Sequence, residues 1–285
     1  MTGNADRTNA TGDGGSPRHH RRIDAQVLEP SVASARLEIG RAAAPRLVDR
    51  LVDYLWWVAW DEPEPRVQAV IPRPVVHVAA EPWNGAPKLV VTGVQRRRFE
   101  RRLEGVGRTI AIAFRPGGFR PFIVGDVSEL TDRRLPLSDI LEADDRDIAA
   151  RLLDLDVPPD IAMELLAEWF VSLGPPQPDA TSQEIATLVE RSEVDPEITR
   201  VGHLADLAGV SQRTLQRRFR TYVGVGPKWV IQLFRLLDVS TAAHRRDVID
   251  WAGLAVELGY SDQSHLIRHF KRLVGEPPAT YVARA

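Results

Sequence analysis

Cysteine is absent from this sequence of 285 residues. The chain therefore has no disulfide, no thiolate ligand for a metal and no cysteine nucleophile. No run of about 18 consecutive apolar residues occurs, so no transmembrane helix is predicted. The first residues, MTGNADRTNATGDGGSPRHHRR, lack the apolar core of a secretory signal. These absences favour a cytoplasmic protein in which residues 1–22 form a disordered tail.

Lysine is also rare, because only three of the 37 basic residues are lysines. The net charge of −2 hides an uneven distribution along the chain. Residues 196–285 carry 13 basic and 8 acidic side chains, a net of +5, whereas the remainder carries 24 and 31, a net of −7. A basic segment joined to an acidic one indicates a module that faces nucleic acid and is attached to a different domain.

The amino-terminal half combines helical and strand patterns. Apolar residues at helical spacing predict a helix over residues 44–58. Short β-branched runs crowd residues 66–125 and predict strands, with a proline- and glycine-rich turn at residues 114–122. Two amphipathic helices are expected within residues 138–173. The predicted class is α+β, with a β-rich amino-terminal part that forms a cupin-like barrel or sandwich and an all-α carboxy-terminal part.

A proline-rich segment, GPPQPDATS, marks a predicted linker at residues 174–182. Thr181 or Ser182 is the expected N-cap of the helix that follows. On this division, residues 23–173 form an amino-terminal domain for sensing or dimerisation. Residues 183–285 form an all-helical domain.

The helical part contains an internal repeat. LADLAGVSQRTLQRRFRTYVGVGP, residues 204–227, aligns with LAVELGYSDQSHLIRHFKRLVGEPP, residues 254–278, with one residue inserted. Each copy reads as an apolar helix, a glycine turn, a Ser or Asp cap and a second helix. That order predicts helix-turn-helix units at about residues 201–224 and 251–275. The helix between them spans roughly 25 Å, compatible with two reading helices about 34 Å apart in successive major grooves.

The second helix of each unit separates into two faces. Phe219 and Phe270 fall on the apolar faces, arginine and serine fall opposite, and Gln216 lies at the border. Guanidinium and amide groups match the edges of guanine and adenine. A solvated polar face is the ordinary alternative for a single helix. Repetition of the same outward arginine in both units favours DNA recognition.

These motifs resemble the AraC/XylS family of bacterial transcription regulators over residues 183–285, through LADLAGVSQRTLQRRF, GVGPKWV, LAVELGYSDQSHLIRHFKRLVGEPP and Tyr281. The resemblance implies a protein without enzymatic activity or cofactor that binds double-stranded promoter DNA through both units. It also implies RNA polymerase as a partner and activation of transcription in many members, with a homodimer and a small-molecule effector as further expectations. The expected DNA-binding residues are Arg213, Gln216, Arg217, Gln263, Ser264, His265 and Arg268.

The amino-terminal part, from about residue 40 to residue 145, is similar to the variable sensing domains attached to this family, through RRFERRLEGVGRTIAIAFRPGGFRPF. Trp56, Trp57 and Trp60 lie close together in sequence. Either they pack in a core, or they line a pocket for an aromatic or planar effector. His77 joins them as a candidate effector contact, with a structural strand histidine as the alternative.

Two other classes of function remain open at this point. A cupin-like metal enzyme would need histidines clustered with carboxylates; His265 and His269 have the i,i+4 spacing of a zinc pair but lack an evident third ligand, and no P-loop or nucleophile elbow occurs. The acidic run EADD, residues 142–145, is either a cation site or, as we favour, solvated charge beside a helix. A non-specific architectural DNA binder would show equal affinity for any duplex and a steep salt dependence.

Overall fold

The computed structural model describes residues 37–244, 250–278 and 280–281. The predicted disordered tail, residues 1–22, lies outside the described residues. The described strands are β1 (Leu37–Ala43), β2 (Val52–Val70), β3 (His77–Trp83), β4 (Ala86–Thr92), β5 (Phe99–Phe114) and β6 (Arg134–Pro136). The helices are α1 (Arg146–Leu153), α2 (Pro159–Ser172), α3 (Ala180–Val194), α4 (Val201–Leu207), α5 (Gln212–Tyr222), α6 (Pro227–His244), α7 (Trp251–Glu257) and α8 (Gln263–Val274). Short 3-10 turns lie at Arg120–Phe122, Val127–Leu130 and Leu137–Asp139.

The six strands form one antiparallel sheet in the order β1-β2-β5-β3-β4-β6. The long strands β2 and β5 form its largest pair, and their register shifts between Glu62 and Arg66. Pro63 and Pro65 occupy that interval and have no N–H to contribute to the ladder, which accounts for the interruption. The α+β class and the β-rich amino-terminal part are confirmed.

The helix predicted over residues 44–58 is wrong. Residues 46–51 form turns, in which Val48 N–H donates to Pro45 O at 2.9 Å, and β2 begins at Val52. Both faces of β2 carry apolar residues, because one face packs under helices and the other lines a cavity. Leu55 and Trp57 lie on the face covered by helices, whereas Tyr54 and Trp56 line a cavity on the other face. Apolar residues on two faces imitate the spacing of a helix in sequence.

Helices α1 and α2 cover the face of the sheet that carries Leu55 and Trp57. Phe114 of β5 packs edge-on against Phe170 of α2, with ring centroids 5.6 Å apart. Asp145, just before α1, is fully buried and accepts hydrogen bonds from Leu89 N at 2.8 Å and Lys88 Nζ at 3.1 Å. The preference for solvated charge in the acidic run is therefore wrong for Asp145, which ties α1 to β4.

Helices α3 to α8 share a second core, which contains the fully buried rings of Phe219 and Phe270. Ile71 and Val94 of the sheet region belong to the same cluster, so the two parts of the chain pack against each other. Helix α3 begins at Ala180, and its N-cap is Asp179, whose carboxylate accepts from Ser182 N at 2.7 Å. The caps expected at Thr181 or Ser182 are therefore wrong. The boundaries proposed for the domains stay predictions.

Candidate nucleic-acid interface

Helices α4 and α5 form the first unit. Gly209 turns the chain between them at φ +61°, a conformation that side-chain-bearing residues rarely adopt. Ser211 then caps α5, with its Oγ accepting from Thr214 N at 3.2 Å. Leu215 and Phe219 are fully buried. The orientation of α5 is thus fixed by one turn, one cap and two apolar anchors.

Helices α7 and α8 repeat this construction. Gly259 has φ +66°, and the Asp262 carboxylate caps α8 by accepting from His265 N at 2.7 Å. Phe270 is fully buried between the rings of Trp251 and Tyr281, at centroid distances of 5.9 and 5.7 Å. A glycine turn, an N-terminal cap and buried apolar side chains therefore fix the second helix of both units.

Helix α6 connects the units and also contacts the second one directly. Lys228 Nζ donates to Gly259 O at 3.0 Å, and Gln232 Nε2 donates to Leu258 O at 3.3 Å. Both acceptors are backbone carbonyls at the turn between α7 and α8. These bonds fix the turn of the second unit against the connecting helix.

Helix α3 holds the first unit through contacts that sequence reasoning missed. Arg218 Nη1 lies 2.9 and 2.7 Å from the two carboxylate oxygens of Glu184. Tyr222 donates its hydroxyl proton to the Asp179 carboxylate at 2.7 Å. Arg218 therefore forms an ion pair with α3, whereas the neighbouring Arg217 is exposed. The paired positions lie 34 and 43 residues apart, so no short-range spacing in the sequence signals these contacts.

Every residue expected to contact DNA has an exposed side chain. Each belongs to α5 or α8. They are Arg213, Gln216, Arg217, Gln263, Ser264, His265 and Arg268. By helical spacing, Arg217 and Arg268 lie opposite Phe219 and Phe270, whereas Gln216 and Gln263 lie nearer the phenylalanine side. Their contact with DNA stays a prediction.

The two histidines of α8 do not form a metal pair. His265 is exposed, with Nδ1 3.2 Å from Ser261 Oγ, whereas His269 is buried and its Nδ1 is hydrogen-bonded to the Tyr260 hydroxyl. Burial, and then the charges of Arg272 and His265, lower the pKa of His269 to about 4. Across the described ranges, no group of three His, Asp or Glu side chains could hold a metal ion.

The candidate effector residues divide between the faces of the sheet. Trp56 and His77 line the same cavity, and Trp56 Nε1 donates to His77 Nδ1 at 3.3 Å. Trp57 lies on the opposite face, packed beneath the helices and over Gly40, where a Cβ atom would collide with its ring. Trp60 lies outside the cavity lining, with Arg101 stacked over its ring at 5.4 Å. The pocket interpretation thus suits Trp56 and His77, and the packing interpretation suits Trp57.

The cavity has a volume of about 240 Å³ and a mainly apolar lining. It lies against the sheet face opposite α1 and α2. Burial, and then the charges of Arg73 and Arg41, lower the pKa of His77 to about 4, so this ring is neutral near pH 7. With Nδ1 accepting from Trp56, the neutral ring carries its proton on Nε2.

Among the helices that the structure describes, none has the length and hydropathy of a membrane span.

Two family models match the sequence. Residues 204–284 match a helix-turn-helix domain, and residues 41–136 match a domain of unknown function, DUF6597. The first match begins within the first helix-turn-helix unit and extends beyond the second, and it confirms a helix-turn-helix domain in the carboxy-terminal part. The second covers the sheet.

Two curated relatives are named AraC-like transcription regulators. One, from Streptomyces lividans, is 30% identical over 154 residues, which are 54% of this chain and 47% of the relative. The other, from Streptomyces antibioticus, is 35% identical over 81 residues, which are 28% of this chain and 26% of the relative. The chain thus matches about half the length of the first relative and about a quarter of the second.

Solved structures that resemble the chain include the DNA-binding domain of AdpA, a global transcriptional factor crystallised with a target DNA. It is 28% identical, with 37% of this chain and 92% of that chain covered and a TM-score of 0.28. ToxT from Vibrio cholerae is 11% identical, with 87% and 97% covered and a TM-score of 0.36.

Proposed function

We propose that this chain, whose carboxy-terminal helices form a helix-turn-helix domain of the AraC/XylS family, is a sequence-specific DNA-binding regulator of transcription. Helices α5 and α8 enter successive major grooves of promoter DNA. The curated relatives, named as transcription regulators, support the regulatory role. The chain acts in the cytoplasm and is not an enzyme.

One observation carries the proposal. In both units an exposed arginine stands two residues before a fully buried phenylalanine on a capped helix: Arg217 before Phe219, and Arg268 before Phe270. A guanidinium in a fixed position can donate two hydrogen bonds to the O6 and N7 atoms of guanine. Two such groups on separate units would read two half-sites of one duplex.

The contacts divide into two kinds on this proposal. Arg213, Arg217 and Arg268, together with the glutamines Gln216 and Gln263, read base edges. Ser264 and His265 lie in the first turn of α8, where side chains reach phosphate oxygens and set the register.

Selection of DNA fragments from a random library by the purified full chain tests the proposal. We expect one enriched site and a footprint with two protected segments about one helical turn apart. Arg217→Ala should weaken protection in one segment and Arg268→Ala in the other. Retention of all duplexes alike, with a steep salt dependence and no enriched site, would overturn the proposal in favour of an architectural DNA binder.

The sheet region has the role of a sensor or a dimerisation unit in this proposal. Its cavity, lined by Trp56 and His77, supports binding of a small-molecule effector. A homodimer and contact with RNA polymerase follow from the family and are part of the same proposal. Sedimentation analysis of the free chain tests the dimer, and in vitro transcription from the selected site tests the polymerase contact.

A further inference from the structure

The loop between β4 and β5, residues 93–98, contacts the carboxy-terminal end of α8. Arg98 N donates to Arg272 O at 3.3 Å, and so supplies a partner to one of the carbonyls that a helix leaves unpaired in its last turn. The Arg98 side chain also crosses the C-cap of α8, because a Cβ atom on Gly275 would collide with Arg98 Nη1. The backbone and the side chain of Arg98 thus both place this loop of the sheet region beside the second helix-turn-helix unit.

A second anchor holds the loop on the other side of Arg97. Arg96 N donates to Asp132 Oδ1 at 2.7 Å, and Arg96 Nε donates to Asp132 Oδ2 at 2.7 Å. Arg97 therefore lies between two residues whose backbone N–H groups are both hydrogen-bonded. The position of its backbone beside α8 is fixed, and its side chain is left to reach outward.

Arg97 is the arginine of this loop whose charge is not compensated. Arg96 pairs with Asp132, and Arg98 pairs with Glu100 at 2.5 Å, so both nearby carboxylates are engaged. The Arg97 side chain is exposed and forms no hydrogen bond or ion pair with any residue that the structure describes. Its guanidinium therefore keeps five N–H donors and a full positive charge for a partner outside the chain.

The exposed arginines of α8 lead from the proposed reading position towards this loop. Arg268 and Arg272 are both exposed and lie one helical turn apart, about 6 Å along the axis. The major groove is about 12 Å wide, so a group that reads a base near its middle is about 6 Å from the phosphates at either edge. With Arg268 on a base, Arg272 and the loop bonded to it lie beside a sugar–phosphate strand.

We propose that Arg97 contacts a DNA phosphate at the edge of the groove that α8 enters, so that the sheet region forms part of the DNA interface. This inference rests on the proposed function, because it adds a contact to the same complex. A guanidinium suits a phosphate geometrically, since two parallel N–H bonds can meet two of its oxygens. Phosphate contacts fix the register of a protein on DNA and carry no sequence information, so Arg97 positions α8 without choosing its base.

Binding of the full chain to the selected duplex and to random duplex, measured over a range of salt concentrations, tests the contact. Arg97→Ala should weaken binding to both duplexes by the same factor and lower the slope of log affinity against log salt by about 0.9. The weakening should therefore be about 3.5-fold smaller at about 200 mM salt than at about 50 mM. Arg97→Lys should restore most of the affinity, because lysine also binds phosphate as a point charge.

Arg151→Ala is the matched control for the salt titration. Arg151 is an exposed arginine on α1, the helix that covers the other side of the sheet region, and its removal changes the net charge by the same amount. We expect this variant to keep the affinity and the salt slope of the natural chain. An unchanged slope in Arg97→Ala, or a loss confined to the selected duplex, would overturn the inference.

The absence of cysteine allows the contact to be located on the DNA. Arg97→Cys gives the full chain a single thiol, to which a photoreactive benzophenone can be attached. We expect cross-links at one end of the protected segment that depends on Arg268, and none from the same reagent on Arg151→Cys. Cross-links from neither variant, equal cross-links from both, or cross-links in the segment that depends on Arg217 would refute the placement of Arg97 beside that groove.

These outcomes separate the inference from the proposed function. A chain that binds every duplex alike, yet loses affinity and salt dependence in Arg97→Ala, would refute sequence-specific recognition and keep the phosphate contact. Selection of one site by a chain whose Arg97→Ala variant keeps the full salt slope would refute the contact alone. A chain that binds no duplex would refute both.

Discussion

Arg217 and Arg268 occupy equivalent positions in the two units, each exposed and each two residues before a fully buried phenylalanine. The equivalence extends to the turn before each helix, where Gly209 and Gly259 have φ values of +61° and +66°. The repeat in the sequence is thus a repeat in geometry. Each arginine projects from a helix whose rotation is set by its buried neighbour.

Arg268→Ala should reduce affinity for the selected DNA site by roughly 1–3 kcal/mol, because a base-specific pair of hydrogen bonds is lost. Affinity for random duplex should change much less. Binding assays on both duplexes at one salt concentration measure the difference. Arg102→Ala is the control, since it removes the same charge from an exposed position on β5. Equal losses on the two duplexes would mean that Arg268 contacts phosphate.

Phe270→Ala should lower the free energy of unfolding by about 3–5 kcal/mol, because it opens a cavity between Trp251 and Tyr281. DNA binding should be lost together with the fold of the second unit. Urea denaturation followed by circular dichroism measures the change. Val256→Ala, at a position 74% exposed, should cost less than about 0.5 kcal/mol. A Phe270 variant of full stability that merely binds DNA weakly would contradict this placement.

The helical part could be predicted from short stretches of sequence, because the caps, turns and apolar anchors that fix its helices lie close together in the chain. The cap of α5 joins Ser211 to Thr214, three positions further on, and the apolar anchors Leu215 and Phe219 lie one turn apart. Each is visible in a short window of sequence. The family motif includes the same features, so pattern and resemblance agreed over these helices.

The sheet was harder to predict because its environment is not local. Strand β2 is apolar on both faces, since one packs under helices and the other lines a cavity, and this arrangement gives its sequence the apolar spacing of a helix. Arg73 and Glu193 are 120 positions apart, and no spacing rule connects them. The i,i+4 spacing of His265 and His269 likewise did not reveal that only His269 is buried.

Acid should destabilise the fold through His269. Its pKa of about 4 in the fold lies below the ordinary value of 6.5, so between these values the unfolded chain binds a proton that the folded chain does not. The free energy of unfolding should therefore fall as pH decreases from about 6.5 towards 4, by up to about 1.4 kcal/mol per pH unit. His77 has the same shift and should add to the effect.

His269→Gln should reduce that slope by about one proton near pH 5, because glutamine does not titrate there. Urea denaturation from about pH 7 to about pH 4.5 measures the slope. His203→Gln provides a control at an exposed histidine of α4. An unchanged slope in the His269 variant would show that this ring takes up its proton in the folded chain as readily as in the unfolded one.

Arg73→Met alone should destabilise the chain by roughly 3–5 kcal/mol, because it leaves the Glu193 carboxylate buried without its guanidinium partner. The double variant with Glu193→Met should recover most of that loss, since two apolar side chains replace two buried charges. Thermal and urea unfolding of the single and double variants measure the coupling between the sheet and α3. The exposed pair Arg102 and Glu104 should show a coupling below about 1 kcal/mol in the same cycle. If Arg73→Met is tolerated as well as the double variant, the ion pair does not hold the sheet and α3 together.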